Sequence, residues 1–435
     1  MSYQSVDLIE VRAWDRQVGA VIRDEKTGFF FFEYSDQWLS SGVELAPLNM
    51  PNAKGNFIFR GLDPLTYQKL PPMLADALPD RFGNALISAQ FVRMGLQMDQ
   101  ITALDRLAYM GNRGMGALTF HPPTMEGGIP STAIALADLV AAARASLSGE
   151  IGEDKLDSNA LAQLIQVGTS AGGARPKAVI AYNTETKQYR SGQFEAPAGF
   201  EQWILKLDGV TKNSETNMGV IGDGAEYCRV EYAYYLMAKA CGIDMTESEI
   251  LPEGPRTHFL TKRFDRGPHG ERIHMQSLCA ISELDFNQMG THAYEQYFQT
   301  IRELGMGTLE LAEAFRRMVF NIAACNRDDH TKNFSFLLPE NGSWKLAPAY
   351  DITHAHSLVS GWTLNHQMSV NGKFDAINLQ DLRIVGDQQL IPGYRQIISE
   401  VFSIVDQWPD FAEKAALSAG TTKRIYEDMA KNRPS

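Results

Sequence analysis

Three features of the sequence predict a mixed α+β fold. Short runs rich in β-formers fill the first 60 residues and return in the middle third; one amphipathic helix interrupts that second stretch; beyond Arg266 the pattern turns mostly helical. A β-rich middle followed by a helical C-terminal half predicts two lobes with a cleft between them, the kind of place that takes a small molecule. At 435 residues the chain is too long for one ordinary core and should divide into two or three domains.

In order along the chain, VDLIEVRAW, QVGAVIRD and GFFFFEYSDQWL read as strands joined by Gly and charged turns. From Pro71, residues Leu74, Leu78, Phe82, Leu86 and Ile87 fall at helical spacing, and Pro79 must bend or restart the helix. A turn-rich piece and the polar stretch TMEGGIPS follow, and Ser131 can cap a helix over 132–147. KAVIAYN, QYRSG, QWILKLDG, SEILPE and RTHFLTKRFDR are the strands of the middle third. Between them Tyr227, Val230, Tyr234, Met237 and Ala238 share one face of a helix over 224–241. In the C-terminal half a helix over 309–324 precedes an irregular interruption at about 326–356. Domains are expected at 1–125 (β-rich), 126–265 and 266–435 (helical).

Composition narrows the function classes. Apolar residues at 44% and charged residues at 21% lie close to a globular average, which makes a disordered or coiled-coil chain a poor reading. With 40 basic against 52 acidic side chains the net charge is −12, which repels phosphate backbones and disfavours unaided nucleic-acid binding. Cys228, Cys241, Cys279 and Cys325 lie far apart without a C-x-x-C, against both a disulfide framework and a zinc knuckle. The first residues lack a signal-peptide pattern and no run of about eighteen apolar residues occurs, so a cytoplasmic chain without a membrane partner is expected.

The segment AACNRDDHTKNFSFLLPENGSWKLAPAYDITHAH is the richest in chemistry. It leaves a helix, crosses a polar loop and enters a hairpin, Phe334–Leu338 and Trp344–Pro348, turned at Asn341-Gly342. Asp328 and Asn333 stand five apart in the loop and Asp351 follows the hairpin. Phosphoryl transfer needs a carboxylate to orient a hydroxyl, and an amide plus a second carboxylate to hold Mg²⁺ against a triphosphate. About one D-x-x-x-x-N pair is expected by chance in a chain of this length, so the weight rests on the second carboxylate, His330 and Lys332 nearby. Gly168, Gly172 and Gly173, with Ser170 among them, precede the strand that starts at Lys177; such a loop could approach phosphate oxygens, or be an ordinary flexible turn. Lys206 sits among Leu205 and Leu207 and would point to the opposite sheet face, where burial demands an anion such as Glu231; an edge-strand lysine in water is the bland alternative. His354 and His356 could suggest a hydrolytic metal site, but with no third clustered nitrogen ligand they read as surface histidines.

In order and spacing, TSAGGARPKA, WILKLDG, EYAYYLMAKACGI, FLTKRFDR, RDDHTKNFSF and LAPAYDITHA resemble the HipA family of bacterial serine/threonine kinase toxins, and QVGAVIRD, PPMLADALPD and RLAYMGNRGMGAL extend the likeness over nearly the whole chain. The resemblance implies a two-lobed, protein-kinase-like α+β fold with an extra β-rich N-terminal subdomain and an all-helical C-terminal lobe. It implies that ATP and Mg²⁺ are the cofactors and that Asp328 is the catalytic base, with Asn333 and Asp351 in the metal positions. Lys206 matches the lysine that contacts the nucleotide phosphates and Glu231 its helix partner; Gly172, Gly173 and Lys177 belong to the phosphate-facing segment, and His330 and Lys332 lie near the phosphates. Lys262-Arg263-Phe264 falls at the adenine-contacting hinge, where Lys262 replaces a usual glutamate. Ser170 aligns with the family's autophosphorylated serine, although the neighbouring Thr169 offers a second hydroxyl. The implied partners are a small helix-turn-helix antitoxin, through which alone DNA is reached, and a translation component such as an aminoacyl-tRNA synthetase as substrate. A kinase-like subunit serving only as a binding partner in an antitoxin–DNA repressor complex is the alternative, and metal-dependent hydrolysis a third reading.

Overall fold

In a computed structural model the described residues are 5–79, 81–124, 177–191, 196, 198–208, 226–254 and 256–435. The helix expected over 132–147 and the glycine-rich loop with Ser170, Gly172 and Gly173 lie outside them. Two compact units emerge: 1–212 with 260–276 and 337–343, and 213–259 with 277–336 and 344–435.

The first unit opens on an antiparallel sheet of β1 (Leu8–Ala13), β2 (Arg16–Arg23), β3 (Phe30–Tyr34), β4 (Asn56–Phe57) and β5 (Leu118–His121), in the order β4-β3-β2-β1-β5. Alternation sets its buried face: Ile9, Val11 and Ala13 of β1 are fully buried between more exposed neighbours. Gly19 is required by packing, since a Cβ there would stand 2.1 Å from the Glu33 carbonyl oxygen. Pro79 acts as expected. One helical turn, Pro72–Ala75, stops ahead of it and α1 (Arg81–Arg93) starts beyond it. The next helix, α2 (Ala103–Met110), is capped reciprocally: Asp105 N–H donates to Thr102 Oγ1 at 3.2 Å and Thr102 N–H to Asp105 Oδ2 at 2.8 Å.

A second sheet in this unit holds β6 (Lys177–Asn183) between β7 (Gln188–Ser191) and β8 (Glu201–Lys206). The central strand β6 is buried along almost its whole length, which explains its continuous apolar run. Downstream, the Asp265 carboxylate is completely buried and accepts from Gly116 N–H at 2.7 Å and from the guanidinium groups of Arg263 and Arg266, each at 2.7 Å. Those two arginines also donate to the Gly114 carbonyl at 3.2 and 3.0 Å. Burial alone would raise this carboxyl; the two guanidinium groups outweigh it and hold it well below the usual carboxylate range.

The second unit is largely helical: α3 (Tyr227–Ala240), α4 (Tyr294–Glu303), α5 (Thr308–Ala323), α6 (Leu379–Gln388), α7 (Tyr394–Val405), α8 (Trp408–Lys414) and α9 (Ala419–Lys431). Tyr234 of α3 is fully buried, edge-on to Trp408 at 5.4 Å and to Phe320 at 6.2 Å, and its hydroxyl donates to the Ala324 carbonyl at the end of α5. There Cys325 takes a left-handed φ of 53° and Asn326 N–H reaches back to the Asn321 carbonyl at 2.9 Å. That 6→1 bond closes the helix and turns the chain into the loop 326–333. Beyond the loop lie the strand Ser335–Leu338 and the short strand Lys345–Leu346, with Ala347 N–H donating to the Ser335 carbonyl at 2.9 Å, a shorter hairpin than expected. Among the described residues no helix is long and apolar enough to cross a membrane.

Candidate active site

Two adjacent aspartates in the loop have opposite environments. Asp329 has a fully buried side chain, and its carboxylate accepts from the Tyr294 hydroxyl at 2.8 Å, from Gln367 N–H at 2.8 Å and from His366 Nδ1 at 2.9 Å. Behind it, Asn326 Nδ2 donates to Asn321 Oδ1 at 2.9 Å and Asn321 Nδ2 to the Tyr294 oxygen at 3.0 Å, so α4 and α5 brace the loop through one polar chain. Burial, with Asp329 alongside, pushes the Tyr294 phenol well above its ordinary value and keeps it a donor. Asp328, by contrast, keeps 35% of its side chain exposed. Its Oδ1 accepts from Trp362 Nε1 at 2.6 Å and lies 3.6 Å from His330 Nε2. Only the first aspartate of the pair can meet a ligand; the second is locked into the frame.

Asn333 Nδ2 donates to the Asp328 carbonyl at 2.8 Å. That bond orients the amide, whose carbonyl oxygen Oδ1 is a ligand of the kind that suits a hard cation. His330 packs 5.3 Å from Phe286 and 5.8 Å from Trp362, and the Lys332 ammonium lies over the Phe286 ring at 5.2 Å. The Tyr350 hydroxyl donates to the Lys332 carbonyl at 2.6 Å and so ties the residue before Asp351 to the loop. Asp351 itself is half-buried at a left-handed φ of 53°. Thus Asp328, His330, Lys332 and Asn333 are brought together, and Asp351 is linked to them through its neighbour.

The remaining expected residues take their places within their own units. Lys177 and Lys206 are direct cross-strand partners of β6 and β8, on one sheet face, at 7% and 9% exposure. Lys206 is therefore not the edge-strand lysine in water, and two ammonium groups so placed call for negative charge on that face. Glu231 is buried on α3. His354, expected on the surface, is buried at 2% exposure, and the His356 side chain at 5%; both face Asp428 of α9, at 3.2 Å and 3.5 Å. The residues around them come from a distant helix that the local spacing could not announce.

Models of known families match both parts of the chain: the HipA N-terminal domain over residues 9–121 and the HipA-like C-terminal domain over 169–435. The chain belongs to the HipA family. It is 31% identical over 258 residues to a Sinorhizobium fredii protein named "Putative kinase Y4dM", covering 53% of this chain and 59% of that one. A second protein of that organism, "Putative kinase Y4mE", is 24% identical over 78% of this chain and 75% of its own. The chain thus spans less than two thirds of the first relative's length. Among solved structures, HipA of the Shewanella oneidensis MR-1 HipA, HipB and operator DNA complex matches with a TM-score of 0.64 at 16% identity, over 98% of this chain and 96% of that chain. The mixed α+β fold is the HipA fold.

Within the HipA frame, the charge at Lys262 has a local answer. Its ammonium pairs with Glu201 on β8, an acid on the neighbouring strand. Sequence reasoning missed Glu201, Trp362, Asp329, Tyr294 and His366. Of these only Asp329 carried a signal, the doubled aspartate, and it did not tell which of the two is buried.

Proposed function

We propose that this HipA-family protein is an ATP-dependent protein serine/threonine kinase and the toxin of a toxin–antitoxin pair. The observation that carries the reading is the contrast at the loop: a partly exposed Asp328 held by Trp362, against a fully buried Asp329, with Asn333 five residues on and tied by its amide to the Asp328 carbonyl. Asp328 would accept the hydrogen bond of the acceptor hydroxyl on its second oxygen while Trp362 fixes the first. Asn333 and Asp351 would hold Mg²⁺, and Lys206 with its cross-strand neighbour Lys177 would meet the triphosphate. Bound Mg²⁺-ATP supplies the transferable phosphoryl group and the cationic charge that stabilises its transfer.

Ser170, or Thr169 beside it, is the proposed autophosphorylation site, and an aminoacyl-tRNA synthetase or another translation component the proposed substrate. The Shewanella HipA was solved with HipB and operator DNA; by analogy the partner here is a small helix-turn-helix antitoxin that carries this acidic chain to DNA. Purified protein incubated with γ-labelled ATP and Mg²⁺ should label itself and a discrete set of lysate proteins. Asp328→Asn should abolish transfer while the circular dichroism spectrum stays unchanged. A labelling pattern equal in wild type and Asp328→Asn would sink the assignment, and no labelling at all would favour the binding-subunit reading.

A further inference from the structure

His354, His356 and Asp428 are unused by the proposed phosphoryl transfer, yet they form a compact ligand set. One ligating atom from each lies within 4.8 Å of the others. His354 Nε2 is 3.2 Å from Asp428 Oδ2 and His356 Nδ1 is 3.5 Å from Asp428 Oδ1. Ligands about 2.0–2.1 Å from a tetrahedral zinc ion stand roughly 3.3 Å from one another; each imidazole already approaches one carboxylate oxygen near that spacing, and small side-chain shifts would bring the set onto a common ion.

The second observation is the state of His354. Its side chain is fully buried, and neither ring nitrogen makes a hydrogen bond; the 3.2 Å approach to Asp428 lacks the geometry of one. A buried imidazole with both nitrogens unsatisfied is unfavourable, and coordination of one nitrogen would offset that penalty. Arg424, one turn before Asp428 on α9, adds positive charge nearby. A hard ion held by charge alone is disfavoured there; two imidazoles and one carboxylate suit a strongly coordinating borderline ion.

We propose that His354, His356 and Asp428 form a binding site for a divalent transition metal of the zinc class, with one coordination position left to solvent. The site lies outside the phosphoryl-transfer residues and does not depend on that reading. Its place in the fold gives it a structural consequence. Ala355, between the two histidines, donates its N–H to the Cys325 carbonyl at 3.1 Å and accepts from Arg327 N–H at 2.9 Å, immediately before Asp328. Asp428 in turn accepts from the Cys325 thiol through its carbonyl at 3.5 Å. An ion at this point would clamp α9 to the segment that aims the loop.

The test uses untagged, chelator-stripped protein in excess Mg²⁺, so that oxygen-only sites are filled, titrated calorimetrically with Zn²⁺. Wild type should take up one Zn²⁺ per chain with a rise in melting temperature. His356→Gln and Asp428→Asn should bind at least tenfold more weakly and show no such rise. Absence of Zn²⁺ uptake by wild type at tens of micromolar, or unchanged uptake by both variants, overturns the proposal. If either variant fails to fold, Co²⁺ substituted into wild type decides: a tetrahedral spectrum with nitrogen ligation supports the site, and an octahedral all-oxygen spectrum overturns it.

Discussion

Trp362 and Asp329 show how single side chains divide the labour around the candidate base. Trp362 Nε1–H is the donor that fixes Asp328, and a hydrogen bond to a carboxylate contributes about 1.5–3 kcal/mol. Trp362→Phe keeps the ring and removes the donor, so transfer should slow roughly ten- to hundredfold, by the same figures, with the ATP KM little changed. Equal turnover in variant and wild type would show that Asp328 needs no such support. Asp329→Asn should act on stability instead. Its carboxylate accepts from three donors in a buried site, and an amide would turn a hydrogen towards one of them. A loss of about 3 kcal/mol is expected, read from the denaturant midpoint, whereas Asp328→Asn should leave that midpoint in place.

At the scale of elements, the left-handed ends of helices offer a clean measurement. Leu390 follows α6 at a φ of 53° with 81% of its surface exposed, and Ile391 N–H closes the helix on the Gly386 carbonyl at 3.0 Å. A glycine is the natural occupant of that position, so Leu390→Gly should stabilise the protein by about 1 kcal/mol in urea unfolding. The same position explains what the sequence could and could not convey. Alternation announced β1 and β2, and Pro79 announced the break before α1, because both act through local sterics and burial. The hairpin turn between β1 and β2 was announced too, by Asp15 and Arg16, but its pair of left-handed residues, Trp14 and Asp15 with φ of 51° and 59°, was not, since no glycine marks it. The end of α5, expected at 324, fell within one residue of Ala323, although no glycine marks the left-handed turn at Cys325. The candidate site was legible where its residues crowd one loop, as Asp328, His330, Lys332 and Asn333 do. It was silent where partners arrive from other elements, as Trp362, Tyr294 and Asp428 do, because no spacing rule links residues that meet only after folding.

Across the molecule, acid sensitivity should have a visible early phase. His274 is completely buried with Nε2 donating to the Leu45 carbonyl at 2.9 Å, and burial pulls its pKa down to about 4. The unfolded chain binds a proton near pH 6.5 while the native one refuses it until about 4, so this contribution is whole above pH 6.5 and fades as pH falls towards 4. Up to about 3 kcal/mol should disappear over that window, and His274→Gln should flatten it in chemical denaturation at stepped pH.

The buried Asp265 cluster bears on how the chain can be cut. The N-terminal family match ends at 121 and the C-terminal one begins at 169, which invites expressing the second alone. Yet Gly114 and Gly116 supply backbone partners to Arg263, Asp265 and Arg266, so that fragment would carry a buried ion triad stripped of its peptide frame. A scission between the two matches would sever a covalent thread and leave the bonds themselves standing. Two co-expressed fragments should therefore reassemble into a single working body, while the C-terminal piece by itself would be insoluble.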